Sequence, residues 1–145
     1  MTDSEKAAAV FGDGFSCSQA VLAVYGAKLG LDRELALRVA GAFGGGMARM
    51  GETCGAVTGA FMVIGLKHGK AEVKDNPARE RTYKLVNEFT AKFKERNGSI
   101  ICRELLGCDI SSSESLKNAQ DKKLFRTICP KFVRDAGELL EQILK

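Results

Sequence analysis

The sequence predicts an all-α protein, a single-domain helical bundle of about six to seven helices around a Gly-rich central segment. Apolar residues recur three and four positions apart along most of the chain, and no stretch alternates with period two. The 145 residues, 45% hydrophobic and 28% charged, suffice for one core spanning 1–145 and hardly for two. Residues 41–60 are dominated by glycine and small side chains, unlike the segments on either side.

Each element has its own signal. Thr2-x-x-Glu5 is a capping-box pattern opening a short helix that Gly12 and Gly14 end. Ser16-Cys17-Ser18-Gln19 repeats it, and its helix carries Ala20, Val21, Val24 and Tyr25 to Gly30. Asp32 caps a third helix, with Leu35, Val39 and Phe43 expected inward. A helix over Gly55 to Leu66 follows the Gly-rich stretch, with Gly55 and Gly59 on one face. The longest element is expected from Pro77 to Arg96, with Tyr83, Leu85, Val86, Phe89 and Phe93 apolar and Asn97-Gly98 as its stop. The Ser-rich residues 109–120 read as a surface loop or short helix, a connector rather than a site, before Lys122 to Ile128. Pro130 suits a first helical position because its missing N–H would be unpaired there, which sets Cys129 at or beside the N-cap. That last helix has one apolar stripe, Phe132, Val133, Ala136, Leu139, Leu140, Ile143 and Leu144. Lys131, Arg134, Asp135, Glu138 and Glu141 fill the other face.

Lys and Arg number 22 against 18 Asp and Glu, divided as 7 and 6 in residues 1–70 and 15 and 12 in 71–145. Because the two signs interleave, no basic arm offers a nucleic acid its phosphate contacts, and that partner is not expected. The N-terminus lacks the basic region and apolar core of a secretory signal, so a cytoplasmic location is expected. The most apolar run, Ala56 to Leu66, falls short of the roughly 20 residues a membrane span needs, so no membrane association is expected. No repeat of 20 to 50 residues is evident.

Five cysteines stand out, at 17, 54, 102, 108 and 129. With one histidine, His68, a histidine zinc site or a Cys-His nucleophile has little to build on, and any special chemistry is expected to be sulfur chemistry. Cys17, Cys54 and Cys129 fall at expected helix starts, where unpaired N–H groups favour the reactive thiolate, and Arg103 and Lys131 are nearby cations. Cys102 and Cys108 flank Arg-Glu-Leu-Leu-Gly, with Gly107 ending the turn, and their pairing is left open. CxxC, CxxCH and paired zinc knuckles are absent, so covalent haem is not expected. The bland alternative is that free cysteines pack as small hydrophobes.

Glycine in a helical chain has a backbone reason, either positive φ or close approach of a neighbour. Gly45, Gly46, Arg49 and Gly55 are therefore candidate cofactor-binding residues, with tight helix packing as the alternative; neither GxxxxGK[ST] nor GxGxxG occurs. Arg49 and Glu52 are read either as a pair orienting Cys54 or as exposed charges. His68, in Leu-Lys-His-Gly, is expected to cap a helix dipole or face solvent rather than ligate a metal.

Four motifs in order, Phe15-Ser16-Cys17-Ser18-Gln19-Ala20-Val21, Gly44-Gly45-Gly46-Met47 leading to Gly51-Glu52-Thr53-Cys54-Gly55-Ala56-Val57-Thr58-Gly59-Ala60, Cys102-Arg103-Glu104-Leu105-Leu106-Gly107-Cys108, and Cys129-Pro130-Lys131-Phe132-Val133, cover most of the chain. They resemble the family of small redox-active proteins named for a C, G-C-A-x-x-G, C, C pattern, which is similar to the non-haem part of split-Soret cytochromes. The family's G-C-A string stands here as T-C-G-A, and Cys108 is a fifth cysteine beyond the four of the name. The resemblance implies a helical fold and a redox role, without a substrate.

The leading expectation is that Cys17, Cys54, Cys102 and Cys129 converge for thiol–disulfide or electron-transfer chemistry with an unspecified redox partner. Cys54 is the expected attacking thiolate and Cys17 or Cys129 the resolving thiol. In the alternative the same four cysteines ligate zinc or an iron–sulfur cluster. A third reading is a helical interaction module whose small-residue faces make a homodimer.

Overall fold

The computed structural model describes all of residues 1–145 and contains nine helices and no strands. They are α1 (Asp3–Gly12), α2 (Cys17–Ala27), α3 (Arg33–Val39), α4 (Gly55–His68), α5 (Asn76–Asn97), α6 (Cys102–Leu106), α7 (Ser113–Asp121), α8 (Leu124–Thr127) and α9 (Cys129–Ile143). The count exceeds the expected six to seven because α6 and α8 are only 5 and 4 residues long. The Ser-rich connector holds a real helix, α7, capped by Ser112.

The caps explain the starts. Thr2 and Ser16 both form full capping boxes, with Glu5 and Gln19 closing back on the N-cap N–H. Asp32 accepts from the Leu35 N–H at 2.9 Å and Asp75 from the Ala78 N–H at 3.2 Å. Gly98 ends α5 at φ 84, a left-handed C-cap that favours glycine.

Helix α2 is the hub, packed against α1, α3, α4 and α9, while α5 lies over α4 and α9. At the α2–α4 contact, glycines of α4 bring it against the backbone of α2. A Cβ added at Gly59 would lie 2.9 Å from the Ser18 carbonyl oxygen, and one at Gly55 2.9 Å from the Ser18 nitrogen. The small-residue face that suggested a homodimer is thus filled by α2 of the same chain. Aromatic rings continue the core from α4 to α9 through Phe61–Phe89, Phe89–Phe93 and Phe93–Phe132, with centroids 6.1, 5.9 and 6.3 Å apart. Every buried side-chain polar atom has a partner; buried Ser18, for example, donates to the Ala40 carbonyl at 3.0 Å.

Three burial expectations are corrected. Leu35 and Val39 are exposed, Phe43 lies beyond α3, and it is Ala36 and Ala40 that face inward, because α3 is short and meets α2 through small residues. Tyr83, part of the apolar set read for α5, is exposed, and Phe89 and Phe93 carry the burial of that helix. Asp135 is buried rather than on the polar face, held by Arg96 at 3.2 Å and Lys131 at 2.7 Å.

The core has two parts. A main cluster of 21 buried residues fills the bundle, and a cluster of five, Cys102, Leu106, Ile110, Ala119 and Cys129, lies under α6–α8. No helix is long and apolar enough to cross a membrane.

Candidate functional site

Between the two clusters lies a cavity of about 890 Å³, lined by Cys17, Cys54, Cys102 and Cys129. Each sulfur is delivered by the start of a helix. Cys17, Cys102 and Cys129 are the first residues of α2, α6 and α9, and Cys54 is the N-cap of α4. Cys102 joins the three expected at such positions; its signal, the Gly98 stop four residues earlier, is weak because α6 is so short.

Two backbone devices gather these starts. The first is the close α2–α4 approach, which brings Cys17 beside Cys54: the Cβ missing from Gly55 would lie 3.3 Å from Cys17 Cβ. The second is an antiparallel contact between residues 51–54 and 100–103. The Cys54 N–H donates to the Ile100 carbonyl at 2.8 Å, and the Cys102 and Arg103 N–H groups to the carbonyls of Glu52 and Gly51 at 2.6 and 3.1 Å. Arg103 locks this contact through the Glu52 carboxylate at 3.0 Å and the Gly51 carbonyl at 3.2 Å.

The Gly-rich segment supplies the remaining wall in an unusual conformation. Residues Gly45, Gly46, Met47, Ala48 and Arg49 have φ of 67, 68, 67, 49 and 65°, a complete turn of left-handed backbone. Glycine enters that region freely, whereas each of the three other residues costs about 1 kcal/mol or more. The turn is pinned by hydrogen bonds from the N–H groups of Met47, Ala48 and Arg49 to the carbonyls of Phe43, Ala42 and Gly44 at 3.1, 3.0 and 3.1 Å. Gly46 has no alternative, because a Cβ there would lie 2.6 Å from both Cys102 Cβ and the Glu52 nitrogen. Positive φ was expected of the glycines, but nothing in Met-Ala-Arg signals that the left-handed path continues through them.

Burial governs the thiols. It pushes Cys54 up to about 12, outweighing the Ala56 and Val57 N–H groups at the start of α4, and pushes Cys102 up to about 11. Cys17 and Cys129 behave as a pair. The neighbouring Cys17 thiol holds Cys129 below its ordinary value, and Cys17 itself is raised by Cys129 and by burial. Burial thus raises Cys54 despite the two N–H groups at the start of α4, whereas Cys129 is lowered beside Cys17.

Residues 15–143 match the family model described as "Putative redox-active protein (C_GCAxxG_C_C)". The chain belongs to this family. No match was found among curated proteins or among solved structures.

In this C_GCAxxG_C_C protein the cavity brings together Cys17, Cys54, Cys102, Cys129, Gly45, Gly46, Arg49 and Gly55. Cys108 stands apart, half-buried beyond the left-handed Gly107, near enough to Cys102 to raise it but not on the cavity wall. All five cysteines are free thiols, and no three His, Cys, Asp or Glu side chains are grouped so as to hold a metal ion. Arg49 does not pair with Glu52, whose carboxylate is taken by Arg103; Lys131 is likewise engaged by Asn97 and Asp135, so neither Arg103 nor Lys131 serves a thiol. His68 ends α4, and partial burial with Lys67 and Arg81 nearby keeps it below its ordinary value, which disfavours the expected cationic cap. The Ser-rich region is part of the site, since Leu116 and Gln120 line the wall, as do Phe11, Phe125 and Arg126. Of these only Leu116 and Gln120, one turn apart on a short helix, left a periodic trace in the sequence.

Proposed function

We propose that this protein is a dithiol–disulfide redox protein in which Cys129 attacks and Cys17 resolves. The observation that carries the reading is that Cys17 and Cys129, the first residues of α2 and α9, line the same cavity and each shifts the other's thiol, Cys129 downward. In the first step the Cys129 thiolate attacks one sulfur of a substrate disulfide. A mixed disulfide forms, and the other half of the substrate leaves as a thiolate with the electron pair of the broken S–S bond. Cys17 then gives its proton to solvent or to the departing thiolate and attacks the Cys129 sulfur. This forms the Cys17–Cys129 disulfide and releases the second thiolate. The substrate gains two electrons, the protein loses two, and a separate reductant restores the dithiol.

Cys54 and Cys102 stay protonated at neutral pH because desolvation opposes their charge, and they form the apolar side of the same wall. The test is titration of anaerobically reduced protein with one equivalent of a small disulfide, followed by peptide mapping. A Cys17–Cys129 crosslink is expected, and Cys17→Ser should arrest the reaction at a mixed disulfide on Cys129. A first adduct on Cys54 with Cys129 untouched would overturn the assignment.

A further inference from the structure

We infer that the substrate of this dithiol is a small organic disulfide with an apolar body and a negative charge, recognised at the mouth of the cavity by the exposed Arg49 and Arg126. The inference rests on the dithiol reading above and adds what the cavity selects. At about 890 Å³ the space is of the size that encloses a small molecule. Phe11, Phe15, Phe125 and Phe132 supply an aromatic lining. Phe15 is braced from outside by the Arg33 guanidinium, 5.9 Å from its ring centroid.

Charge is the second selector. Arg49 and Arg126 line the cavity, and no Asp or Glu does. Arg38, Arg79, Arg96 and Arg103 have carboxylate partners; Arg49 and Arg126, like Arg33, Arg81 and Arg134, have none, but only Arg49 and Arg126 line the cavity. The left-handed turn holds Arg49 at the wall, with its Cα and Cγ 3.0 and 2.9 Å from where a Gly45 Cβ would stand. The amino-terminal ends of α2 and α9 add positive potential on the side of the sulfurs. An anionic group is therefore attracted while the disulfide reaches Cys129, and a cationic or bulky peptide disulfide is not.

The test compares second-order rates for three disulfides in a Cys108→Ser background: dianionic dithiobis(nitrobenzoate), neutral dipyridyl disulfide and cationic cystamine. The expected order, corrected for the intrinsic reactivity of each toward a free thiol, is anionic over neutral over cationic. Replacing both arginines by alanine should lower the anionic-to-neutral ratio about fivefold to tenfold, and 0.5 M salt should lower it in the parent protein. The double Arg→Lys variant should recover most of the ratio. An unchanged ratio in the alanine variant, with two thiolates still released per chain and the Cys17–Cys129 crosslink formed, overturns the charge selection and leaves the dithiol reading standing. If no disulfide of the three yields that crosslink, both fall.

Discussion

Gly46→Ala is the most exacting probe of how the backbone holds the cysteines. The new Cβ would lie 2.6 Å from Cys102 Cβ, 2.6 Å from the Glu52 nitrogen and 2.9 Å from the Glu52 oxygen, all of them atoms without rotational freedom to retreat. Position 46 also has φ of 68°. The left-handed conformation alone costs alanine about 1 kcal/mol, and forcing a methyl into filled space adds about 1–3 kcal/mol. Relief by separating the two segments would stretch the Glu52 N–H bond to the Gly46 carbonyl, 2.9 Å, and the Cys102 N–H bond to the Glu52 carbonyl, 2.6 Å, at about 1 kcal/mol each. Since relief by separation replaces the packing cost rather than adding to it, the total is about 2–4 kcal/mol. Gly98→Ala is the control, since Gly98 has φ of 84° and open space around its Cβ direction, so it carries the conformational cost of about 1 kcal/mol and nothing else. Urea unfolding followed by helical circular dichroism reads both, with the expected midpoint loss for Gly46→Ala two to four times that of Gly98→Ala. Equal losses would refute the close contact of Gly46 with Cys102.

Alkylation by iodoacetamide, mapped by peptide mass, should modify Cys129 first, with a rate that rises with pH through a midpoint below 9.0, because its lowered value places thiolate at lower pH. At pH 8 Cys54, pushed up to about 12, has thiolate in only about one molecule in ten thousand and should remain unmodified until the protein unfolds; early Cys54 labelling would contradict its burial. Asp135→Ala removes the shared partner of Arg96 and Lys131 and should cost about 2 kcal/mol, since Arg96 retains Glu138 at 2.8 Å. A loss under 0.5 kcal/mol in thermal unfolding would show that this carboxylate is solvated rather than built in.

Much of this fold was readable in the chain because its signals are local. The capping boxes at Thr2 and Ser16, the Asp32 cap, Pro130 and the stop at Gly98 each act within four residues, and the apolar stripe of α9 follows the helical period. The glycines of residues 44–59 marked the segment where the backbone turns left-handed and where α4 closes on α2, the two reasons the sequence offered. What could not be read is set by contacts distant in sequence. Whether Cys54 is a thiolate depends on burial supplied by other helices, and whether Arg49 pairs with Glu52 was decided by Arg103, 51 residues beyond Glu52. Asp135 looked solvated because its partner Arg96 sits on another helix, 39 residues away. The inward faces of α3 were misassigned because alanine, not the larger Leu35 and Val39, is what fits against α2.

A cavity set between a core of 21 residues and one of five has walls of unequal stiffness. The side formed by α6–α8 rests on the smaller cluster of buried residues and is expected to open locally at less than the free energy of global unfolding. Amide hydrogens of α7 and α8 are expected to exchange with solvent well before those of α2 and α4, and a molecule that fills the cavity, by touching both walls, should slow that exchange.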